Sequence, residues 1–575
     1  MPDLSPLLDL AGEMPAYRRL VDKSTQHGGD ISAAVLEAAR PYLVAAMHRS
    51  LPVPTLLITA RPENARRLYE QLAAWGCPGV MLFPEPDALP YERITSDAAA
   101  EWERVKVLAA LSGCGPAGAA VLAVASAPAV MARVPLPGDF AAACHSIRAG
   151  MEIEPLKLLA RWEAMGYRVE GMVEVPGTVS HRGGIIDIYP PASEFPARLE
   201  FFGNTVESIR LFDPASQRSV REESSITVSP ATEMLSLMMK GRSELETELA
   251  GLDLSGCDAE AGQQFRQEIA MLLDGQRPRH MPFYAPLFNR GSLPAYLPDD
   301  GLLVLDEPEA IEQAVAALDE EAGQLRQAEM ERGELPGNFP RPYFTWEELA
   351  PMLAERRRLS LAAWGAGEEP LRLDFVSAPA YAGHLSSFLK KLGQLREQGK
   401  RLVIVSQQAS RLSELLDEEG IIAAPVAGIG QAPLPGSLTL VQGSLAEGWV
   451  MSDATCLFTD AEIFGFVKQR RLVKKRHVPR HQISLDINPD DYVVHVEHGI
   501  ARFSGVTTMR NVGGEKEYLV LQYAAGDRLY VPADQIDRVS RYIGASDKPP
   551  ALSRLGTQEW TRSKQRAQEA AEELA

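Results

Sequence analysis

The chain has 575 residues with a formal net charge of −19, and 45% of its residues are hydrophobic and 23% are charged. This composition predicts a soluble globular protein of roughly three to five domains, and the negative charge excludes non-specific nucleic-acid binding by the whole molecule while leaving local basic patches open. The five scattered cysteines form no CxxC pair, and neither a signal peptide nor a run of about 18 apolar residues is present, so we expect a cytoplasmic protein with reduced thiols, no metal site and no membrane contact.

The first 143 residues alternate between helical and extended patterns. Helical periodicity extends from Ile31 to His48, and amphipathic patterns follow at Glu63–Trp75 and Glu101–Leu111. Apolar runs typical of buried strands are Thr55–Thr59, Val80–Phe83 and Val121–Ala125. Alternating strands and helices predict a parallel sheet covered by helices, as in nucleotide-binding folds.

A nucleotide site in this region would need a glycine-rich loop with a lysine and a Ser/Thr for the phosphates and magnesium. Ahead of the helix expected from Ile31 the chain has only Ser24–Asp30 (STQHGGD), and its Gly399-Lys400 pair is followed by arginine. Leu302–Glu307 (LLVLDE) imitates a Walker B strand, but without the loop its carboxylates favour a structural role. We therefore expect no catalytic residues and no cofactor in this chain, neither ATP nor magnesium.

The segment Met81–Glu92 (MLFPEPDALPYE) resembles a run that the excision-repair protein UvrB shares with bacterial transcription-repair coupling factors. The resemblance implies that the α/β domain is a degenerate helicase-like scaffold that has lost its nucleotide pocket. UvrB clamps damaged DNA with a tyrosine-rich hairpin near this domain, and no such hairpin is present between Phe83 and Glu103. Lesion recognition by this chain is therefore not expected.

Extended patterns dominate from Gly166 to Asp213. The runs Gly184–Tyr189 and Ala197–Phe202 are joined by a Pro/Ser turn and lead into a third run, Val206–Phe212. The sequences RGGIIDIYP from Arg182 and RLEFFGNTVESI from Arg198 resemble the UvrA-binding domain of UvrB and its counterpart in the coupling factors. The resemblance implies an inserted α+β domain that binds UvrA.

By that resemblance, Arg182, Arg198 and Phe202 fall at positions that contact UvrA. Guanidinium groups suit bidentate carboxylate contacts, and an aromatic side chain beside them is typical of an interface hot spot. Two alternatives stay open: Phe202 is a core residue of the sheet, or the arginines are only solvated.

Helix-forming residues predominate from about residue 231 to 365, interrupted by the Pro/aromatic loop Arg277–Pro298. A second, small α/β unit follows, with strands predicted at Leu402–Ser406, Leu438–Gln442 and Thr455–Thr459 and a helix at Ser410–Glu418. It ends in FTDAEIFG, which resembles the end of the third domain of the coupling factors. No catalytic constellation accompanies this unit.

Lys468–Arg480 (KQRRLVKKRHVPR) is a basic segment with seven Lys/Arg and no acid. Such a run is usually a solvated linker, and an auxiliary contact with DNA or polymerase is the alternative. Any DNA contact in this chain is expected to be weak.

Short strands and tight turns are densest between residues 491 and 542. Tyr492–Val496, Ile500–Met509, Glu517–Tyr523 and Arg528–Val531 are extended, which predicts an SH3-like or Tudor-like β-barrel of about five strands. The sequences HVEHGIARF, EYLVL and LYVP within them resemble the RNA-polymerase-interacting domain that CarD-type regulators share with the coupling factors. The resemblance implies that the strand containing Val506, Thr507, Thr508, Met509 and Arg510 pairs through its exposed edge with the β subunit of RNA polymerase.

The last residues, from Pro549, resemble the connection P-x-L-x-x-L-G-x-x-x-W that leads into the DNA translocase of the coupling factors. A helix is predicted at Thr557–Ala575, opened by Thr557 and without a Gly or Pro stop signal. We expect the chain to be truncated, with the ATP-dependent translocase beyond Ala575.

The fold predicted from these observations is a multidomain α/β protein. Its predicted parts are a first UvrB-like α/β part (1–143), a UvrA-binding-like domain (144–230), a second UvrB-like part (231–365), a small α/β domain (366–467), a basic linker (468–487), a polymerase-interacting barrel (488–546), and a linker with the start of a helix (547–575). The function indicated is an adaptor half in transcription-coupled excision repair that joins UvrA to RNA polymerase. The rivals are an autonomous CarD-type regulator that binds polymerase and DNA, and an active helicase subunit, against which the missing phosphate loop stands.

Overall fold

The structure is a computed structural model of the chain. It describes residues 3–25, 30–93, 98–115, 120–235, 239–363, 370–382, 384–465, 492–495, 498–511, 514–524, 527–532, 539–541, 550 and 552–553. Two compact units are present, Met1–Leu472 and Val473–Ala575, and each is described by itself.

The strands follow one another along the described residues in five sheets. In chain order they are β1 (Asp30–Ala34), β2 (Thr55–Thr59), β3 (Val80–Phe83), β4 (Leu122–Ser126), β5 (His145–Arg148), β6 (Arg168–Val169), β7 (Thr178–Arg182), β8 (Ile185–Tyr189), β9 (Ala197–Phe202), β10 (Thr205–Phe212), β11 (Ser219–Glu222), β12 (Ser225–Val228), β13 (Leu302–Asp306), β14 (Arg358–Ala362), β15 (Leu371–Arg372), β16 (Phe375–Ser377), β17 (Arg401–Ser406), β18 (Pro425–Val426), β19 (Leu438–Gln442), β20 (Trp449–Met451), β21 (Thr455–Thr459), β22 (Tyr492–His495), β23 (Gly499–Asn511), β24 (Gly514–Gln522), β25 (Arg528–Pro532) and β26 (Val539–Arg541).

Helices cover the sheets of the first unit. The α-helices are Pro15–Thr25, Arg40–Ser50, Pro62–Ala74, Ala98–Leu111, Ala127–Met131, Pro137–Ala143, Pro155–Ala164, Arg242–Leu249, Ala259–Leu273, Ala285–Phe288, Pro308–Glu331, Trp346–Ala354, Leu385–Glu397, Ala409–Glu418 and Asp460–Phe464. Short 3-10 helices are Ser5–Glu13, Glu37–Ala39, Leu254–Gly256, Met281–Tyr284 and Leu293–Tyr296. No helix within the described ranges is long and apolar enough to cross a membrane.

The first sheet has the order β15-β1-β14-β13-β2-β4-β3, and its neighbouring strands are all parallel. Every residue of β2, β4 and β13 is buried, as expected for central strands with helices on both faces. The predicted parallel sheet in an α/β architecture is therefore confirmed.

The helix predicted from Ile31 to His48 is wrong in its first part. Ile31 lies in β1, which pairs with β14 over five residues, and the α-helix begins only at Arg40. The sequence ISAAVLEAA fits a helical period locally, but a sheet partner more than 300 residues away in the chain determines the conformation of Asp30–Ala34. Tertiary pairing thus overrides local propensity here.

The second sheet, which contains the predicted partner-binding residues, has the order β11-β10-β9-β8-β7-β6 and is antiparallel except for β6 with β7. Its side chains alternate between a buried face, with Val179, Ile186 and Leu199 in the core, and an outer face. This period-2 alternation confirms the three strands predicted between residues 184 and 212. A separate antiparallel pair, β5 with β12, lies at the two ends of this segment.

A third sheet, β16-β20-β21-β17-β19-β18, forms the small α/β part of the first unit, and its predicted strands and helix are confirmed. Trp449 of β20 packs against Tyr42 and Trp75, with ring centroids 4.8 and 6.2 Å apart, so this sheet shares a core with the first. The helix Asp460–Phe464 has a capping box made by Thr459 and Glu462 and ends at Gly465, which has φ 76°.

The second unit contains the antiparallel sheet β25-β24-β23-β22-β26. Leu519, Leu521 and Tyr523 are buried on one face, as their alternation predicts, together with Val493 and Phe503. Closure of this sheet into an SH3-like or Tudor-like barrel stays a prediction. The basic segment Lys468–Arg480 and the helix predicted at Thr557–Ala575 lie outside the described residues.

Candidate functional site

Three charged side chains form one network on the outer face of the second sheet. Register places Asp187 of β8 opposite Arg198 of β9, and Arg198 donates from Nε to Oδ1 at 2.7 Å and from a terminal nitrogen to Oδ2 at 2.9 Å. Arg182, at the end of β7, donates to Oδ2 at 3.0 Å. Because the Asp187 side chain is only 1% exposed, both guanidinium groups compensate a buried carboxylate.

Arg198 is held more firmly in this network than Arg182. Its guanidinium lies 4.6 Å from the centroid of the Phe212 ring, and the hydrogen bonds to Asp187 raise the pKa of Arg198 despite partial burial. The Arg198 side chain is 21% exposed, whereas that of Arg182 is 52% exposed. Arg182 can therefore turn toward a partner more easily than Arg198.

Phe202 lies at the end of β9, opposite Thr205 at the β9–β10 turn, and is 80% exposed. It is therefore not a core residue, the alternative that the sequence left open. Ile185, also an exposed apolar side chain, lies on the same outer face, because it pairs with Glu200, two residues before Phe202. An exposed ring on the same sheet face as a half-exposed guanidinium has the chemistry of a protein-binding surface.

Asp187 and Ile185 were not predicted to belong to this surface. Asp187 was visible as the acid in the RG-x-x-x-D pattern, but nothing local to it shows that two arginines from different strands converge on it. Ile185 has no sequence signal that separates it from the buried Ile186 beyond its place in the alternation.

The segment that faces the LLVLDE carboxylates follows β2 and is not Ser24–Asp30. β1 begins at Asp30, at the amino edge of the parallel sheet, whereas Asp306 ends β13 at the carboxyl edge. The adjacent strand is β2, and Thr59 at its end donates to Asp306 at 3.0 Å. The residues after Thr59 are Ala-Arg-Pro, which offer no glycine or lysine for a phosphate.

Arg40 occupies the place beside these carboxylates. It donates to Asp306 at 2.7 Å and also to Glu307, and its side chain is only 5% exposed. Burial opposes the charge of Arg40, but the two carboxylates outweigh burial and raise its pKa. A magnesium ion or a triphosphate would have to displace this buried ion pair, so these residues do not fit a nucleotide. In the described part of the chain no group of His, Cys, Asp and Glu suited to a metal ion is found.

The strand predicted to bind polymerase is the outer half of β23. Residues 506–510 pair with residues 515–519 of β24, whereas β22 pairs only with residues 499–502. Within the described residues, the second edge of 506–510 therefore has no strand partner. The side chains of Val506, Thr508, Met509 and Arg510 lie outside the described residues, and Thr507 is half-buried.

Comparison with known proteins matches two segments to family models. The model described as the UvrB interaction domain matches residues 146–234, which contain the Asp187 network and Phe202. The model described as the CarD-like/TRCF RID domain matches residues 487–543, which contain the five-stranded sheet of the second unit.

Curated relatives match nearly the whole chain. Transcription-repair-coupling factors of Bacillus subtilis and Myxococcus xanthus are each 27% identical, over 94% and 92% of this chain. The factor of Mycobacterium tuberculosis is 27% identical over 99% of it. The chain spans about half the length of these relatives, 47%, 47% and 48% respectively.

Proposed function

We propose that this chain is the adaptor portion of a transcription-repair-coupling factor, which connects a stalled RNA polymerase to the excision-repair protein UvrA in the cytoplasm. The observation that carries the proposal is the presence of a UvrB interaction domain and a CarD-like RID domain in one chain, in the setting of relatives that carry the coupling-factor name. DNA translocation driven by ATP belongs, in this proposal, to protein outside these 575 residues.

UvrA is proposed to bind the outer face of the second sheet. Phe202 supplies an exposed aromatic anchor, and Arg182 supplies a guanidinium for a carboxylate of the partner. Arg198 serves mainly to hold Asp187 and the strand ends in place, since its bonds to Asp187 are already made inside the domain. This division refines the three-residue site expected from the resemblance.

RNA polymerase is proposed to bind the second unit by strand addition. The edge of residues 506–510, which has no strand partner among the described residues, offers backbone donors and acceptors to a strand of the polymerase, for which we propose the β subunit. Main-chain bonds then supply affinity, and Met509 supplies a pocket contact. The same proposal includes closure of this unit into a small barrel.

The proposal is tested by a paired titration of the chain against UvrA and against RNA polymerase, without ATP or DNA. Phe202→Ser removes the anchor and is expected to weaken UvrA binding by at least tenfold, which is about 1.4 kcal/mol. Polymerase affinity is expected to be unchanged, because the two surfaces lie in different units. Val220→Ser is the matched control, since Val220 is a 52% exposed residue on β11 of the same sheet.

The reciprocal variant is Met509→Arg, which places a charge in the proposed strand interface. It is expected to cost about 2 kcal/mol or more of polymerase affinity and to leave UvrA binding intact. The adaptor function is contradicted if the parent chain does not bind UvrA. It is also contradicted if either variant loses affinity equally for UvrA and for RNA polymerase.

An autonomous CarD-type regulator is the alternative function. The match to the CarD-like/TRCF RID domain favours it. Such a regulator would leave the first unit without a role, although that unit contains the UvrB interaction domain and the coupling-factor relatives align over 92–99% of the chain. Sequence-specific promoter binding by this chain, together with no affinity for UvrA, would favour the regulator.

A further inference from the structure

A cavity of about 370 Å³ lies in the first unit beside the loop that follows β3. Its walls include the aromatic rings of Tyr91, Phe283, Phe339 and Tyr343. This volume falls in the range of roughly 300–1,000 Å³ that is usual for small-molecule sites, and apolar walls are typical of them. The cavity is separate from the Asp187 network and from the Asp306 carboxylates, because none of those residues lines it.

The prolines and arginines of the walls offer a ligand few free hydrogen-bond donors. Seven of the lining residues are prolines, which have no backbone N–H. Arg104 is committed to Glu233 and to the carbonyl oxygen of Pro84, the latter at 2.7 Å. Arg133 donates to the carbonyl oxygen of Arg341 at 3.0 Å and stacks on a phenylalanine ring. Both arginines that line the cavity are therefore already engaged.

Acidic side chains outnumber basic ones along the walls. Five carboxylates line the cavity against two arginines. Glu101 accepts hydrogen bonds from the Thr232 hydroxyl and from the backbone N–H of Glu233, but burial raises its pKa and so disfavours its negative charge. Glu85 lines the cavity with no ion pair to another described residue. Glu85 thus offers a cation in the cavity a carboxylate that is not already paired.

Phe283, which lines the cavity, and two rings that do not line it, Phe265 and Phe83, already hold cations. The guanidinium of Arg93 lies 4.2 Å from the centroids of both Phe265 and Phe283, and that of Arg104 lies 4.1 Å from Phe83. Ring faces attract a cation through their negative quadrupole, and the attraction strengthens where water is excluded.

We propose that this cavity is a binding site for a small aromatic amine. The ring of the ligand occupies the space between the aromatic and proline walls, and its ammonium group lies at the carboxylates, with Glu85 as its nearest accessible counter-charge. This site goes beyond the adaptor function and does not depend on it.

The test uses tryptamine as probe, titrated into the chain by calorimetry at low ionic strength. Indole-3-propionate is the matched ligand of opposite charge, and 3-methylindole is the neutral one. We expect tryptamine to bind at least tenfold more tightly than indole-3-propionate, with 3-methylindole between them. Equal affinities for the cation and the anion, or no heat for any of the three at roughly millimolar concentration, would overturn the proposal.

Two variants test whether tryptamine binds in this cavity. Glu85→Gln removes one carboxylate at a half-buried position without changing side-chain shape. It should lower the affinity for tryptamine by about three- to tenfold and leave the affinity for 3-methylindole unchanged. Ala100→Trp fills the cavity from the helix Ala98–Leu111 and should abolish binding of both. Glu244→Gln, at an exposed acid of another helix, is the control and should change neither. Tryptamine binding that survives both cavity variants places it elsewhere and refutes the site.

Discussion

Replacing Arg198 with alanine distinguishes a structural role of this side chain from a direct contact with a partner. The change removes the 2.7 and 2.9 Å bonds to Asp187 and the stacking on Phe212. Asp187 stays buried, with a side chain 1% exposed. Breaking a buried ion pair costs about 3–5 kcal/mol. Because Arg182 still donates at 3.0 Å, we expect the lower end, about 3 kcal/mol, or roughly a 100-fold shift of the local opening equilibrium.

Hydrogen exchange of peptides covering β8 and β9, measured by mass spectrometry, reports this local free energy without requiring the whole chain to unfold in one step. Amides protected by the sheet should exchange roughly 100-fold faster in Arg198→Ala. Arg221→Ala is the control, because its pair with Glu223 is 60% and 33% exposed and should contribute less than about 1 kcal/mol. Unchanged protection in Arg198→Ala, combined with lost UvrA affinity, would show that Arg198 acts by direct contact and that the network argument is wrong.

Three further predictions concern the first unit. Arg40→Ala leaves Asp306 without its buried counter-charge and should destabilise the unit by about 3–5 kcal/mol in urea unfolding. Arg40→Lys should recover part of this loss. Equal unfolding midpoints of the parent chain and Arg40→Ala would contradict the prediction. Burial raises the pKa of the Cys77 thiol to about 12. Cys77 should therefore resist iodoacetamide in the folded chain at about pH 8 and react on unfolding, which mass spectrometry of the labelled peptide measures. Rapid labelling of Cys77 in the folded chain would contradict its burial. Gly291→Ala places a Cβ 2.3 Å from the carbonyl oxygen of Pro135 and should lower stability by about 1–3 kcal/mol in thermal melts, whereas Gly138→Ala, where a Cβ meets nothing within 4 Å, should not.

Local periodicity determined those elements whose burial follows a regular pattern along the chain. Strands β8, β9 and β10 were predictable because their alternating side chains separate a core face from an outer face. The continuous apolar run of β2 indicated a central parallel strand for the same kind of reason, since both of its faces are covered. Motifs with fixed spacing also identified the segments that the two family models match.

Only the tertiary structure decided which distant residues meet. Arg40 and Asp306 are separated by 266 residues, and β1 becomes a strand because β14 pairs with it, although its own sequence favours a helix. Asp187 gathers Arg182 and Arg198 because three strands lie in register. A sequence pattern indicates which residues of one helix or strand are buried. Which elements pair depends on the packing of segments that are distant in the sequence, so a local pattern does not contain it.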